Sequence, residues 1–464
     1  MKLDDAAFRL KEFWDEFRKE RNGLVGLGIL AAAILAVFLE PLIIPYPEAS
    51  SRWRDITYWQ DNSKSAPPAW TNLFTARKSA VARTLQDARI QDRGPGEKVY
   101  TYTYDYDYNR APYDLLVRGE GSGNIPLTVT VRRPDGVSVE IVRYVLQDLA
   151  GQTFRLSFSN EGRSNALEFL RKTERPENAA QIATMSYGVA EILFSKAEPD
   201  FVKGPKPLTG RYEIEVTAGF TDPRASIEHM EIVVVGRVSG ILGTDSMKRD
   251  IFSGVVAGMK WALMIGLLTS IVSVLVGVFY GITAAYFGGR VDSVMMLIFD
   301  YFISLPVLPI LIVFSAVYKP SIWTIIAALI LFFWVGPVKT VRSMALQIKE
   351  ETYIEAAKAL GAGHGRIIFR HMAPLLIPYS FASMALAVPG AIVYESSVSL
   401  LGLGDATIVS WGQILHDALG SGAVLSGLWW WVVPPGLLIA VMGMTFAFLG
   451  FAMDKILHPK LKTR

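Results

Sequence analysis

Six stretches of the chain are apolar enough, for long enough, to cross a bilayer as helices, since a hydrocarbon core needs roughly 20 helical residues. They lie at 24–44, 261–287, 294–317, 322–341, 378–400 and 429–453. Between the first two the pattern changes in kind. Apolar and polar positions alternate repeatedly over 98–236, as in Leu127-Thr128-Val129-Thr130-Val131, at 211–216 and at 231–235, with Pro134-Asp135-Gly136 as a turn between two such runs. Period two puts one face of a segment in a core and the other in water, so this region is predicted to be a β-rich aqueous domain, a sandwich. Tyr100, Tyr102, Tyr104, Tyr106 and Tyr108 all fall on one strand face. Such a face covers one side of a core with its hydroxyls at the rim, or else stacks on sugar rings or a partner protein; the core reading is the favoured one. Residues 160–172 and 179–194 carry helical patterns. The fold class expected is an α-helical polytopic membrane protein of six transmembrane helices, with a large β-rich extracytoplasmic insert between the first and second spans.

Composition agrees with two environments. Of 464 residues 51% are hydrophobic, and the mean hydropathy of +0.31 exceeds that of an ordinary soluble chain of this size. Net charge is only +3, and no basic run is interleaved with aromatics, so nucleic acid is not an expected partner. The absence of cysteine excludes disulfides, thiolate metal sites and a cysteine nucleophile, and none of the five histidines pairs at metal-ligand spacing. No metal is expected.

Charge also orients the spans, because Lys and Arg in short loops stay on the cytoplasmic side. Lys2, Arg9, Lys11, Arg18, Lys19 and Arg21 precede the first span; Lys339, Arg342, Lys349, Lys358, Arg366 and Arg370 lie between the fourth and fifth; Lys455, Lys460, Lys462 and Arg464 follow the sixth. The opposite connections hold Lys319 alone, or no cation at all over 401–428. Both termini are therefore expected in the cytoplasm and the insert outside. The leading apolar run is too long for a signal peptide and reads as a retained anchor. The expected organisation is a cytoplasmic segment 1–22, a first span 23–44, the insert 45–240, a five-helix core 241–454 with a cytoplasmic loop 342–374, and a tail 455–464.

That loop reads as a helix, a glycine turn and a second helix. Glu350 and Glu351 suit the helix N-terminus and Lys358 its C-terminus, while Gly361 supplies the positive φ of a terminator. Ala356 and Ala357 leave a flat surface that another protein can approach, and Glu355 offers a charge to orient it. Gly363, Arg366, His371 and Pro374 follow at fixed spacing. This arrangement resembles the coupling loop of binding-protein-dependent ABC importer permeases. Two further segments narrow the resemblance to the dipeptide, oligopeptide and nickel permease group. One runs from Gly243-Thr244-Asp245 to Arg249-Asp250; the other comprises Leu401-Gly402-Leu403-Gly404 and then Trp411-Gly412. Lys248, Gly254 and Ala373 depart from the group, which usually has glycine, arginine and leucine there. The long insert also exceeds the group's short extracytoplasmic segment.

The resemblance implies an inner-membrane permease subunit of a prokaryotic importer for oligopeptides or similar solutes. It implies four protein partners: a second homologous permease, two ABC ATPase subunits and an extracytoplasmic solute-binding protein. Membrane lipid surrounds the spans. No cofactor is expected on this chain; ATP and Mg would sit on the ATPases. Consistent with that, the sequence has no glycine-rich phosphate loop ending in Gly-Lys-Ser/Thr, so the chain is not expected to be an enzyme. Asp300 and Glu395 fall inside spans, where a carboxylate either serves a transport pathway or bonds within the protein. Two other readings stand beside the importer: a proton-coupled secondary transporter using those two carboxylates, and a membrane-anchored receptor or scaffold whose β domain does the work.

Overall fold

A computed structural model describes residues 13–94, 96–147, 152–155, 159–178, 181–182 and 187–457. Lys2, Arg9, Lys11, Lys460, Lys462 and Arg464, on which the orientation expectation drew, lie outside the described residues. The chain forms two compact units, Met1–Arg54 with Ser253–Arg464, and Asp55–Phe252. In the first, helical residues 13–17 precede helix α1 (Arg21–Phe38). It is shorter than the predicted 24–44 span because the chain breaks at Leu39 and restarts as a single turn, Glu40–Ile43, with Pro41 at its start.

In the Asp55–Phe252 unit the described strands make two antiparallel sheets. They are β1 (Arg83–Leu85), β2 (Arg89–Gly94), β3 (Glu97–Tyr106), β4 (Asp114–Ser122), β5 (Ile125–Arg132), β6 (Ser138–Leu146), β7 (Gln152–Arg155), β8 (Gly210–Gly219) and β9 (Ser226–Val235). One sheet has the order β1-β9-β4-β7 and the other β2-β3-β8-β5-β6. The alternation seen in the sequence sets the register, with Tyr102 opposite Ile214, Tyr104 opposite Tyr212 and Val129 opposite Val216. Both sheets fill one core, which takes in Tyr100, Tyr102, Tyr104 and Tyr106. The tyrosine face is thus core, as favoured. The hydroxyls differ from expectation: that of Tyr102 donates to the Met230 carbonyl at 2.6 Å, but those of Tyr104 and Tyr106 are buried short of the rim, with no hydrogen-bond partner among the described residues.

Helix α2 (Asn160–Arg171) is capped by Ser159, whose hydroxyl accepts from the Gly162 N–H. The helix predicted over 179–194 is not continuous: 181–182 are helical, but Gly188 is extended at ψ 162° and a new short helix, α3 (Val189–Leu193), starts after it. The segments entering and leaving the unit run side by side: the N–H of Ser65 donates to Asp245 at 2.8 Å and that of Ala69 to Gly240 at 3.0 Å.

The remaining helices belong to the first unit and its junction. α4 (Ile251–Phe287) starts well before the predicted 261. α5 (Gly289–Ser304) and α6 (Val307–Val317) replace the single 294–317 span and meet at 80°. Pro306 lacks an N–H and drives Leu305 out of helical geometry, to ψ 133°. Likewise α7 (Ile322–Phe333) and α8 (Val338–Lys349) replace 322–341, bent by 49° just before Pro337. α9 (Thr352–Ala359), α10 (Ala373–Val398), α11 (Trp411–Gly420) and α12 (Trp429–Leu457) complete the chain. Among the described residues four helical stretches are long and apolar enough to cross a membrane, or up to six if each bent pair counts as one. The second bend lies against α4 because Gly277 is there: a Cβ on it would stand 2.1 Å from the Trp334 carbonyl oxygen.

Candidate functional site

The loop between α8 and α10 is built around one buried side chain. Ile354 is the buried residue of α9, and it packs in a cluster with Val341 and Ala345 of α8 and with Ile367 and Met372 beyond the turn. Its burial turns the opposite face outward. Glu355 and Ala356 are exposed, Ala357 is half-buried, and Leu360 is 89% exposed. The helix closes as the sequence predicts: the N–H of Gly361 donates to Lys358, that of Ala362 donates to Ala357, and Gly361 takes φ +82°. Gly363 then caps the turn His364–Arg366. Gly363, Arg366 and Pro374 are exposed and His371 is half-buried in a π-helical stretch, Ile367–Met372.

Polar contacts tie the body of this loop to the α4–α5 corner. Arg342 of α8 forms a two-point ion pair with Asp292, its Nε lying 2.6 Å from Oδ1. Lys349 donates to the Ala285 carbonyl at 3.2 Å. The Tyr286 hydroxyl meets His364 Nδ1 at 2.8 Å, and the Lys358 ammonium lies over the Tyr286 ring. The arrangement is a short helix held firmly from behind, with an outer face of Tyr353, Glu355, Ala356 and Leu360 open to a partner. Tyr353 and Leu360 did not stand out in the sequence. The available signal was periodicity: with Ile354 taking the buried position, a leucine six residues on falls on another face.

The two carboxylates singled out in the sequence have different fates. Glu395 is buried in α10 and accepts from three hydroxyls, Ser399 at 2.7 Å, Ser410 at 2.9 Å and Ser396 at 3.3 Å. Ser410 also caps α11 by accepting from the Gln413 N–H. The chain can double back to reach Glu395 because Gly402 takes φ +82°, and because a Cβ on Gly404 would stand 2.1 Å from the Ser399 hydroxyl oxygen. Trp411 then donates its indole N–H to the Val255 carbonyl at 2.8 Å. Gly402, Gly404 and Trp411 therefore close a knot around Glu395. Asp300, by contrast, is exposed on the chain rather than buried, and pairs with Lys339 at 3.2 Å.

The segment Gly243 to Asp250 makes a second knot, in the other unit. The Thr244 hydroxyl donates to the Ser63 carbonyl and accepts from the Ala66 N–H. Asp245 takes the N–H groups of Met247 and Arg249 on one oxygen and the Arg249 guanidinium on the other. Asp250 is buried and bridges back to Thr244, and Gly243 supplies φ +70°. Lys248 stands at φ +67°, a left-handed backbone that favours glycine.

Comparison with known proteins bears on the loop and on the knot around Glu395. Residues 273–463 match the family described as binding-protein-dependent transport system inner membrane component. Residues 9–68 match the N-terminal transmembrane domain of oligopeptide transport permease C. The chain is 38% identical to the dipeptide transport system permease protein DppC of Bacillus subtilis, over 47% of this chain and 68% of that one. It is 33% identical to the oligopeptide transport system permease protein OppC of the same organism, over 47% and 72%. Against OppC of Haemophilus influenzae the identity is 30%, over 47% and 70%. Residues 69–272 lie outside both family matches.

Proposed function

This chain belongs to the family of binding-protein-dependent inner-membrane transport components, whose members are permease subunits served by separate ATPases, and on that premise we propose that it is the peptide-importing permease in which α9 is the handle those ATPases move. The observation that carries the reading is the exposed face of α9 on a loop braced from behind by Ile354 and by the Arg342–Asp292 pair. A lever needs a free gripping surface and a stiff connection to what it moves. ATP-driven closure of two ATPase subunits pulls on Glu355 to Gly361, and α8, α5 and α4 follow, opening the pathway towards a solute-binding protein. A second, homologous permease completes the pathway, and ATP and Mg are handled by the ATPases.

Six spans are proposed, each bent pair counted as one, with both termini cytoplasmic and the strand-rich unit outside. There that unit docks the binding protein or the partner permease. Deleting 50–236 and finding binding-protein affinity and complex assembly unchanged would remove that part of the reading. Peptides are the proposed solute because the relatives are named for dipeptide and oligopeptide transport. The secondary-transporter reading is weaker: Asp300 pairs with Lys339 and Glu395 bonds to serines, and no hydrogen bond among the described residues joins the two carboxylates.

Replacing Glu355 and Gly361 together tests the lever. The double variant inserts normally, and ATP hydrolysis by the assembled complex runs without uptake. Coupled transport at the parent rate overturns the assignment.

A further inference from the structure

The strand-rich unit holds a cavity of about 520 Å³ that no part of the transport reading uses. Four cations from four distant parts of the chain line it, Arg77, Arg110, Lys206 and Arg237, against one carboxylate, Glu191. Glu191 is already engaged, 3.4 Å from the Arg237 guanidinium. Arg237 is further fixed by donating from Nε to the Ala111 carbonyl at 2.9 Å. Lys206 is shared with Glu198 at 3.0 Å. Arg77 and Arg110 differ, because neither side chain has a hydrogen bond or ion pair among the described residues.

A bland reading is that these are two solvated surface arginines. Three features argue against it. First, both line one cavity beside a third guanidinium, that of Arg237, which is held in place by the Ala111 carbonyl. Next, the backbone beneath the two free heads is locked: Ser79 and Arg110 form a β-bridge, the Ala80 N–H donates to the Arg110 carbonyl, and Asn109 accepts from the Lys78 N–H. Finally, Glu191 and Glu198 are taken by Arg237 and Lys206, which leaves Arg77 and Arg110, the other two cations lining the concavity, without a paired counter-charge among the described residues. Guanidinium groups bind planar oxyanions at two points, with charge-assisted bonds about twice as strong as neutral ones. The volume falls in the range of small-molecule sites, about 300–1,000 Å³, and exceeds what a lone ion fills.

We propose that this cavity is a binding site for a small anion of the carboxylate or phosphate class, with Arg77 and Arg110 as the pair that takes its oxygens and Arg237 as the fixed third cation. If the importer reading holds, a peptide's terminal carboxylate belongs to this class; the site itself does not depend on that reading.

The test is calorimetric titration of the purified full-length chain, without transport partners, using tri-alanine, tri-alanine amide and inorganic phosphate. Binding is thus scored separately from coupled transport. Wild-type protein should bind tri-alanine or phosphate saturably, with a Kd of about 1 mM or tighter. Affinity should fall at least about tenfold in the Arg77→Gln/Arg110→Gln variant. It should also weaken sharply when salt is raised to about 1 M, where charges are screened beyond about 3 Å. Binding of tri-alanine but not of its amide assigns the oxyanion to a peptide carboxylate; binding of phosphate alone assigns it to a phosphate group. Both residues are exposed, so the double variant should fold, and Arg77→Lys/Arg110→Lys should retain part of the affinity by keeping the charge. Absence of saturable binding by either anion, or binding that the double variant leaves unchanged, overturns the proposal.

Discussion

Replacing Lys248 by glycine should stabilise the strand-rich unit at neutral pH, and the gain can be divided into its causes. Lys248 sits at φ +67°, in the left-handed region that favours glycine. A left-handed backbone costs a residue bearing Cβ about 1–2 kcal/mol. Glycine avoids this but loses about 0.5–1 kcal/mol more conformational entropy on folding. The backbone exchange therefore favours the variant by about 0–1.5 kcal/mol. Against it stands the bond from Lys248 Nζ to the Gln60 carbonyl at 3.0 Å, which with a charged donor contributes about 1.5–3 kcal/mol. That bond at least offsets the backbone gain.

Charge decides the outcome. Burial, and then the nearby Arg155, outweigh the attraction of Asp114 and push the Lys248 ammonium down to about 8 from 10.5. A cation whose folded value lies below its unfolded one binds its proton more weakly in the native state. Its penalty is complete below about pH 8 and disappears as pH rises towards 10.5. Lys248→Gly should thus unfold at higher denaturant than the parent at pH 7, with a margin that narrows by pH 10. Lys248→Met, which removes the charge but keeps the strained φ, should show the same pH trend from a lower starting point. Far-UV circular dichroism during denaturant titration of the full chain reads both. A glycine variant less stable than the parent at pH 7, or a margin indifferent to pH, refutes the reasoning.

Two other outcomes follow from named contacts. Arg342→Asp and Asp292→Arg should each abolish most coupled uptake by leaving two like charges opposed at a half-buried site, while the double exchange restores a substantial share; a double exchange no better than either single change shows that the pair is not the connection. Glu174 accepts from Asn178 and from the N–H groups of Arg175, Asp200 and Val202. Burial opposes its ionisation, but these bonds pull it down to about 2 from 4.5, so the stability it contributes is present above about pH 4.5 and lost as pH falls towards 2. Hydrogen exchange at 200–203, corrected for intrinsic rates, should accelerate across that window in the parent and lack the step in Glu174→Gln; a parent without the step contradicts the assignment.

Much of the molecule was legible because the relevant physics is local. Period-two alternation placed strands and put the tyrosine face in the core, since neighbouring side chains on a strand must point opposite ways. The α9 helix and its stop at Gly361 depend on residues within one turn of each other. Prolines 306 and 337 were visible too, yet hydropathy alone averages over them, and the two spans they break were drawn straight. The first span was overdrawn for the same reason, past Pro41.

What the sequence by itself determined was which segments suit lipid, which suit water, and where the backbone turns. Those follow from side-chain chemistry and from φ restrictions that act between neighbours. Only the tertiary structure decided which residues meet. Ser396 and Ser399 lie within a turn of Glu395, but Ser410 reaches it only because the chain reverses at Gly402. Leu360 did not stand out in the sequence and is exposed because Ile354 occupies the buried face. Asp300 looked costly within a span, and the fold gives it Lys339, a residue 39 positions away. Arg77, Arg110 and Arg237 carry no shared local pattern; isolated bridges outside the sheets, Ser79 with Arg110 and Val81 with Val238, and the Arg237 N–H bonded to the Ala80 carbonyl bring them to one cavity.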